Sequence, residues 1–184
     1  MELSNLNGNI IGVVSNDYKR IEYENMKVSD IVLNKKQAAL KMVGFLSDIT
    51  NTYFSDLSIG NQNRVILASK LQDKCIILIN FSIGLTKKDM EFFKKLFKKL
   101  TLYDKKIILV DSNSEIFFNL VDNIYVINKE IIYSTSNIFD KNLSKYMDLP
   151  KIVEFTQKCE NKGIKINHYN EKDELLKAIY RIKS

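Results

Sequence analysis

The stretch Asp56–Leu71 reads DLSIGNQNRVILASKL, and the chain continues through the apolar run Cys75–Ile79 and a long amphipathic segment to a second apolar run, Ile107–Val110. Both runs are short, rich in β-branched residues and bounded by polar residues, which is typical of buried strands. The segments between them have helical periodicity. This alternation predicts an α/β layer fold, with Cys75–Asn80 inside a parallel sheet that has helices on either side.

The same alternation extends in both directions along the chain. Strands are predicted at Asn9–Val14 and Ile124–Ile127, and Ile131–Tyr133 is expected to pair with the latter as an edge hairpin. Helices are predicted at Leu33–Leu46, at Asn61–Leu71, from the Thr86 cap to near Leu102, at Glu115–Val121, at Lys151–Asn161 after Pro150, and at Glu171–Ile182.

With these elements placed, Leu57–Leu71 resembles the signature segment of an ABC-type ATPase, which that family writes as L-S-G-G-Q-x-x-R-V-x-x-A-x-x-L. The strand and turn at residues 75–86 resemble its L-L-L-L-D-E-P-T-x-G-L-D, and Ile107–Asn113 resembles its I-I-L-V-T-H-D. Asp148–Pro150 and Asp173–Ala178 look like the C-terminal extension of the ATPase subunits of energy-coupling-factor importers, which carry cobalt and vitamins.

The resemblance implies a reduced P-loop-NTPase-like fold, with a mostly parallel sheet flanked by helices and a small C-terminal extension. It divides the chain into a degenerate ATPase-like core at residues 1–140 and an importer-type extension at residues 141–184. The signature-bearing helical segment is expected at about residues 21–72.

The residues that perform catalysis in this family are replaced. The resemblance places Ile79 at the Mg²⁺-binding Asp, Asn80 at the Glu that activates water, Thr86 at the Asp of the dimer-contacting loop, and Ser112 at the γ-phosphate-sensing His. Isoleucine cannot ligate a hard cation, and asparagine cannot accept a proton at neutral pH. No G-x-x-x-x-G-K-[ST] phosphate cradle is present either. We therefore predict no catalytic residue, no metal site and no hydrolysis at the chain's own site.

The strand at Asn9–Val14 allows two alignments. It resembles the strand that leads into the phosphate loop, but also the later Q-loop strand, with Asn16 in the glutamine's place. The phosphate-loop strand lies in the middle of the sheet, expected here between the strands of Cys75 and Ile107, and losing it would break two ladders of buried hydrogen bonds. This argument favours a relic phosphate-loop strand.

The signature is the part that survives, at Ser58, Ile59, Gly60, Asn61 and Gln62. In the family this loop closes over ATP bound by the partner subunit. The resemblance therefore implies a heterodimer with an intact ABC ATPase, linked indirectly to a membrane transport subunit, in which the only nucleotide is ATP held by the partner. Three alternatives stay open: a self-associating pseudo-ATPase that regulates without nucleotide, a weak ATP-binding protein, and a Ser58–Gly60 segment that merely caps a helix.

Composition and charge limit which partners and which cellular location the sequence predicts. The formal net charge of +6 arises largely from lysines on the polar face of the helix after Thr86, which is a solvated surface, so no nucleic-acid partner is predicted. The apolar runs fall far short of the ~20 residues that span a membrane, and Met1–Asn5 lacks the features of a signal peptide. Cys75 and Cys159 form neither a disulfide framework nor a metal motif. A cytoplasmic protein is expected, with peripheral attachment at the inner face of the membrane as an option.

Overall fold

The computed structural model describes residues 2–183, with side chains through residue 181. Five strands form one sheet: β1 (Ile10–Val14), β2 (Cys75–Ile79), β3 (Lys106–Val110), β4 (Asn123–Asn128) and β5 (Glu130–Thr135). The helices are α1 (Val28–Ile31), α2 (Lys36–Met42), α3 (Ile59–Lys70), α4 (Lys87–Thr101), α5 (Lys151–Asn161) and α6 (Lys172–Lys183). Short 3₁₀ turns lie at Leu3–Asn5, Phe54–Asp56, Ser114–Ile116 and Lys141–Lys145.

The strand order is β2-β3-β1-β4-β5. β1 pairs in parallel with β3 and with β4, and β2 pairs in parallel with β3, whereas β5 returns antiparallel to β4. The predicted α/β class with a mostly parallel sheet and a terminal hairpin is confirmed.

The central position of β1 agrees with the phosphate-loop alignment, but its predicted neighbours were partly wrong. β1 lies between β3 and β4, and β3 separates it from β2. β2 is therefore an edge strand rather than an interior one. Its Ile76 and Leu78 are buried under the helices, while Cys75, Ile77 and Ile79 on the other face are only half-buried.

The core has two parts, one on each face of the sheet. On the helical face, α3 and α4 bury Val65, Leu67, Phe93 and Phe97 completely. On the opposite face, Ile11, Val13, Ile108 and Val110 pack with Leu3 and Leu6 from the N-terminal segment. The sheet is thus held by apolar contacts on both sides, as a parallel sheet requires.

Two predicted helices are shorter than expected. Leu33–Leu46 is helical only over Lys36–Met42, because Gly44 adopts a φ of 97° and turns Phe45 into the core. Leu46, placed on the apolar face of the predicted helix, is 99% exposed. Glu115–Val121 is a single 3₁₀ turn at Ser114–Ile116 followed by hydrogen-bonded turns, in which Ile116 and Phe117 are buried.

Candidate functional site

The loops that follow β1, β2 and β3 lie together at the carboxyl ends of the strands, because parallel strands end on the same side of the sheet. The signature segment Leu57–Gln62 leads into α3, which packs beside the loop after β2. Every site residue that the sequence predicts lies on this side of the sheet or at the start of the helix beside it.

Ser58 is the N-cap of α3. Its Oγ accepts a hydrogen bond from the backbone N–H of Asn61 at 3.4 Å, and its side chain is exposed. Ile59, the first helical residue, is 46% exposed. The segment therefore presents a hydroxyl and an apolar side chain to solvent at the positive end of a three-turn helix.

Gly60 makes a close backbone contact that the sequence did not reveal. It is buried against Gly84, and a Cβ at residue 60 would overlap the Gly84 carbonyl oxygen. Gly84 has a φ of 75°, and a Cβ there would lie 2.7 Å from the Gly60 nitrogen. Both positions require glycine, and the contact joins the signature helix to the loop after β2.

Asn63 holds the same loop from within the core. It is 1% exposed, and its Nδ2 donates to the carbonyl oxygens of Phe81 and Ile83 at 2.9 and 2.8 Å. A buried asparagine with both amide protons used is a structural clamp. The sequence analysis missed it, although a polar residue among the apolar positions of a predicted helix was the available signal.

Gln62 links the signature to the segment after β1. Its Nε2 donates to Phe54 O at 3.1 Å, and its Oε1 accepts from Arg20 Nη2 at 2.9 Å. The Arg20 Nε atom is buried without a hydrogen-bond partner in the described part of the chain. Burial lowers the pKa of Arg20, with Glu22 acting in the opposite direction. Gln62 is thus engaged within the chain, in a contact that sequence reasoning did not anticipate.

The loop after β2 carries no acidic side chain next to the strand. Ile79 is half-buried at the end of β2, and Asn80 adopts a φ of 52°, where its N–H donates to Val110 O at 2.7 Å. A left-handed φ suits asparagine. Thr86 serves as the N-cap of α4 in a capping box with Asp89, as the sequence predicted.

A buried carboxylate that bonds the loop after β2 has a structural role. Asp111, at the end of β3, is buried and accepts hydrogen bonds from Ser82 N, Ser82 Oγ and Asn113 N at 2.8–2.9 Å. Ser112 beside it is exposed. Among residues 2–183, no group of three or more His, Cys, Asp or Glu side chains has the arrangement of a metal site.

The segment after β1 does not form a phosphate cradle. Ser15 Oγ accepts from Asp17 N at 3.1 Å, and Asp17 Oδ2 accepts from Lys129 N at 2.8 Å, so the chain turns toward the β4–β5 hairpin. Residues 15–27 contain no helix. A cradle needs a helix N-terminus directly after the strand to direct N–H groups at phosphate, and this segment does not supply one.

Comparison with known proteins shows which proteins this chain resembles. No protein-family model matches the chain. The energy-coupling factor transporter ATP-binding protein EcfA2 of Streptococcus sanguinis strain SK36 is 27% identical over 138 residues, which are 71% of this chain and 50% of that protein. EcfA2 of Streptococcus pyogenes serotype M5 strain Manfredo is also 27% identical, over 139 residues that make up 70% of this chain and 49% of that protein.

A solved structure of an ATP-binding cassette shares the fold. The ATP-binding cassette MJ0796, solved as a dimer in a post-hydrolysis state with ADP and Pi, aligns with a TM-score of 0.55 at 20% identity, over 70% of this chain and 63% of that one. The chain is similar in sequence and fold to ABC transporter ATP-binding proteins. The chain spans about half the length of the curated relatives it matches.

The structure brings Gly60, Asn63 and the loop after β2 into one packed unit, with Ser58 and Ile59 exposed beside it. Ser112 lies on the following loop, while Thr86 caps α4. No helix in residues 2–183 has both the length and the apolar character to cross a membrane.

Proposed function

We propose that the chain is a non-hydrolysing ABC-ATPase-like subunit that pairs with a competent ATPase of a membrane importer and contacts the nucleotide held by that partner. The observation that carries the proposal is a contrast, at the carboxyl ends of the parallel strands, between the start of α3 and the loops after β1 and β2. Ser58 is exposed at the N-terminus of a three-turn helix, whereas the segment after β1 offers no phosphate cradle and the loop after β2 offers no acid for metal or water.

The chemistry of the proposed contact follows from the helix end. In the first turn of α3 the backbone N–H groups have no acceptor within the helix ladder, although that of Asn61 donates to Ser58 Oγ. This turn also has a positive partial charge, and both features favour a phosphate oxygen. The Ser58 hydroxyl adds a donor that can rotate toward such an oxygen. The chain then has no nucleotide of its own, uses ATP held by the partner, and is located at the inner face of the membrane through the transport subunit.

The test is formation of a complex with an intact energy-coupling-factor ATPase, measured by size exclusion with and without Mg-ATP. Ser58→Asp keeps the helix cap but places a negative charge against phosphate, so it should abolish the ATP-dependent part of the association. Ser69→Ala is the matched control, because Ser69 lies at the other end of α3 and, among the described residues, its hydroxyl donates to Ile66 O alone. Equal association of both variants would contradict the proposal.

A thermal-shift measurement tests separately whether the isolated chain binds nucleotide. Millimolar Mg-ATP should leave the unfolding temperature of the isolated chain unchanged, because a ligand stabilises only a protein that binds it. A shift of several degrees would show that the chain is a nucleotide-binding protein in its own right, which is the weak ATP-binding alternative.

A second candidate function is a nucleotide-independent interaction module. It is favoured by Ile59 and Ile83, which are each 46% exposed and lie on either side of the Gly60–Gly84 contact. Apolar side chains here suit a protein surface better than a polyphosphate. This candidate predicts partner binding that Mg-ATP does not change and that Ile59→Ser weakens.

A further inference from the structure

β2 leaves one edge of the sheet open. Lys106 N donates to Lys74 O at 2.8 Å and Asn80 N donates to Val110 O at 2.7 Å, so the ladder to β3 runs the full length of β2. Backbone groups of successive strand residues point to alternate sides. The N–H and C=O groups of Cys75, Ile77 and Ile79 therefore point away from β3, where no other strand of the described chain pairs with them.

The two edges of the sheet differ in how they are protected. β5, at the other edge, begins at the charged Glu130, and its pairing with β4 is interrupted by an irregularity at Val126 and Ile127. β2 has the sequence CIILI, without a charge, a proline, a glycine or a bulge. Charges and bulges are devices that keep edge strands from pairing with other chains, and β2 has neither.

We propose that β2 pairs antiparallel with β2 of a second copy of this chain, about a twofold axis at Ile77. In this register Cys75 lies opposite Ile79 of the second copy, and the two Ile77 residues lie opposite each other. Every outward N–H and C=O group of the three residues then finds a partner, which a register centred on Ile76 or Leu78 does not achieve. The two sheets join into one closed, symmetric assembly.

Charge and side-chain chemistry fit this occupant. The register places Lys74 opposite Asn80 of the second copy, so no like charges meet across the interface. Cys75, Ile77 and Ile79 are half-buried at the border of the apolar cluster that contains Ile108 and Val110. A second copy would cover them with the same apolar residues. The interface leaves out the signature segment and is independent of nucleotide.

The experiment is sedimentation of the full chain over a wide concentration range, comparing wild type with Ile77→Lys and Ile77→Glu. The wild type should show a monomer–dimer equilibrium that Mg-ATP does not change. Each variant alone should weaken the dimer at least tenfold, because like charges meet at the axis. An equimolar mixture of the two variants should form the dimer again, because Lys and Glu then lie opposite each other.

Ile131→Lys on β5 is the control, since it adds the same charge at the opposite edge and should leave the dimer unchanged. The proposal is overturned if the wild type stays monomeric or forms species larger than a dimer, or if the Ile77 variants do not affect its dimer. It is equally overturned if cooperatively folded Lys and Glu variants fail to pair in the mixture. Recovery in the mixture also excludes misfolding as the cause of the single-variant losses.

Discussion

At the scale of single residues, the contact between Gly60 and Gly84 places the strictest demand on the sequence. Gly84→Ala should lower the free energy of unfolding by about 1–3 kcal/mol more than Gly163→Ala does. Both glycines have nearly the same positive φ, 75° and 76°, but only the Cβ at residue 84 meets a neighbour. Denaturant unfolding of both variants separates the clash from backbone strain. Equal losses would show that the loop moves away freely.

Asn63 is the second residue with a sharp constraint. Asn63→Leu keeps the branched side-chain shape but removes the donors to the carbonyl oxygens of Phe81, which is buried, and Ile83, which is partly exposed. We expect a loss of about 2–4 kcal/mol in the free energy of unfolding. Asn61→Leu on the same helix is the comparison, because residue 61 is half-buried and its side chain makes no such bonds. If Asn63→Leu lowers the free energy of unfolding less than Asn61→Leu does, Asn63 is not a structural clamp.

At the scale of elements, the N-terminus of α4 gives a pH dependence. Burial raises the pKa of the Asp89 carboxyl, but hydrogen bonds from Thr86 and the ion pair with Arg64 outweigh it, and the pKa lies below its ordinary value of 3.8. A lowered folded-state pKa means that this contribution to stability is complete above the ordinary value and is lost as pH falls through the folded one.

Asp89→Asn should therefore flatten the decline in unfolding temperature below about pH 4 and lower stability near pH 7. The measurement is a series of thermal unfolding curves between acid and neutral pH for wild type and variant. Asp104→Asn, in the turn after α4, provides an exposed acid as control. Parallel curves for wild type and Asp89→Asn would mean that the carboxylate contributes nothing through its ionisation.

At the scale of the whole molecule, the C-terminal helix α5 is attached to the sheet domain by an apolar cluster. Val153 of α5 is fully buried and packs with Phe118 and Phe139. The backbone N–H of Lys151 also donates to Glu115 Oε1 at 2.8 Å. A chain ending at residue 140 should lose about 3–6 kcal/mol in unfolding free energy, because three large apolar side chains are re-exposed or removed.

Val153→Ala in the full chain should cause a smaller loss in the same direction. Chemical denaturation of the shortened chain and of this variant gives the two values. Unchanged stability of residues 1–140 would instead support the division into a core and an independent extension that the family resemblance implies.

The sequence by itself determined the elements whose signals are local. The strand at Ile10–Val14, the capping box at Thr86 and Asp89, and the β4–β5 hairpin follow from short apolar runs and hydroxyl-acid spacing, and they occur where predicted. The likeness to ABC ATPases was also readable from the signature and the runs after it, because neighbouring residues carry it.

Only the tertiary structure decided the rest. Strand order, the edge position of β2, the Gly60–Gly84 contact and the end of α2 at Gly44 depend on partners far away in sequence. A residue's own propensity does not specify which backbone will approach it. The sequence of an apolar strand therefore does not distinguish the centre of a sheet from its edge. The sequence thus determined the elements with strong local signals, and long-range packing determined where the others end and which surfaces they leave exposed.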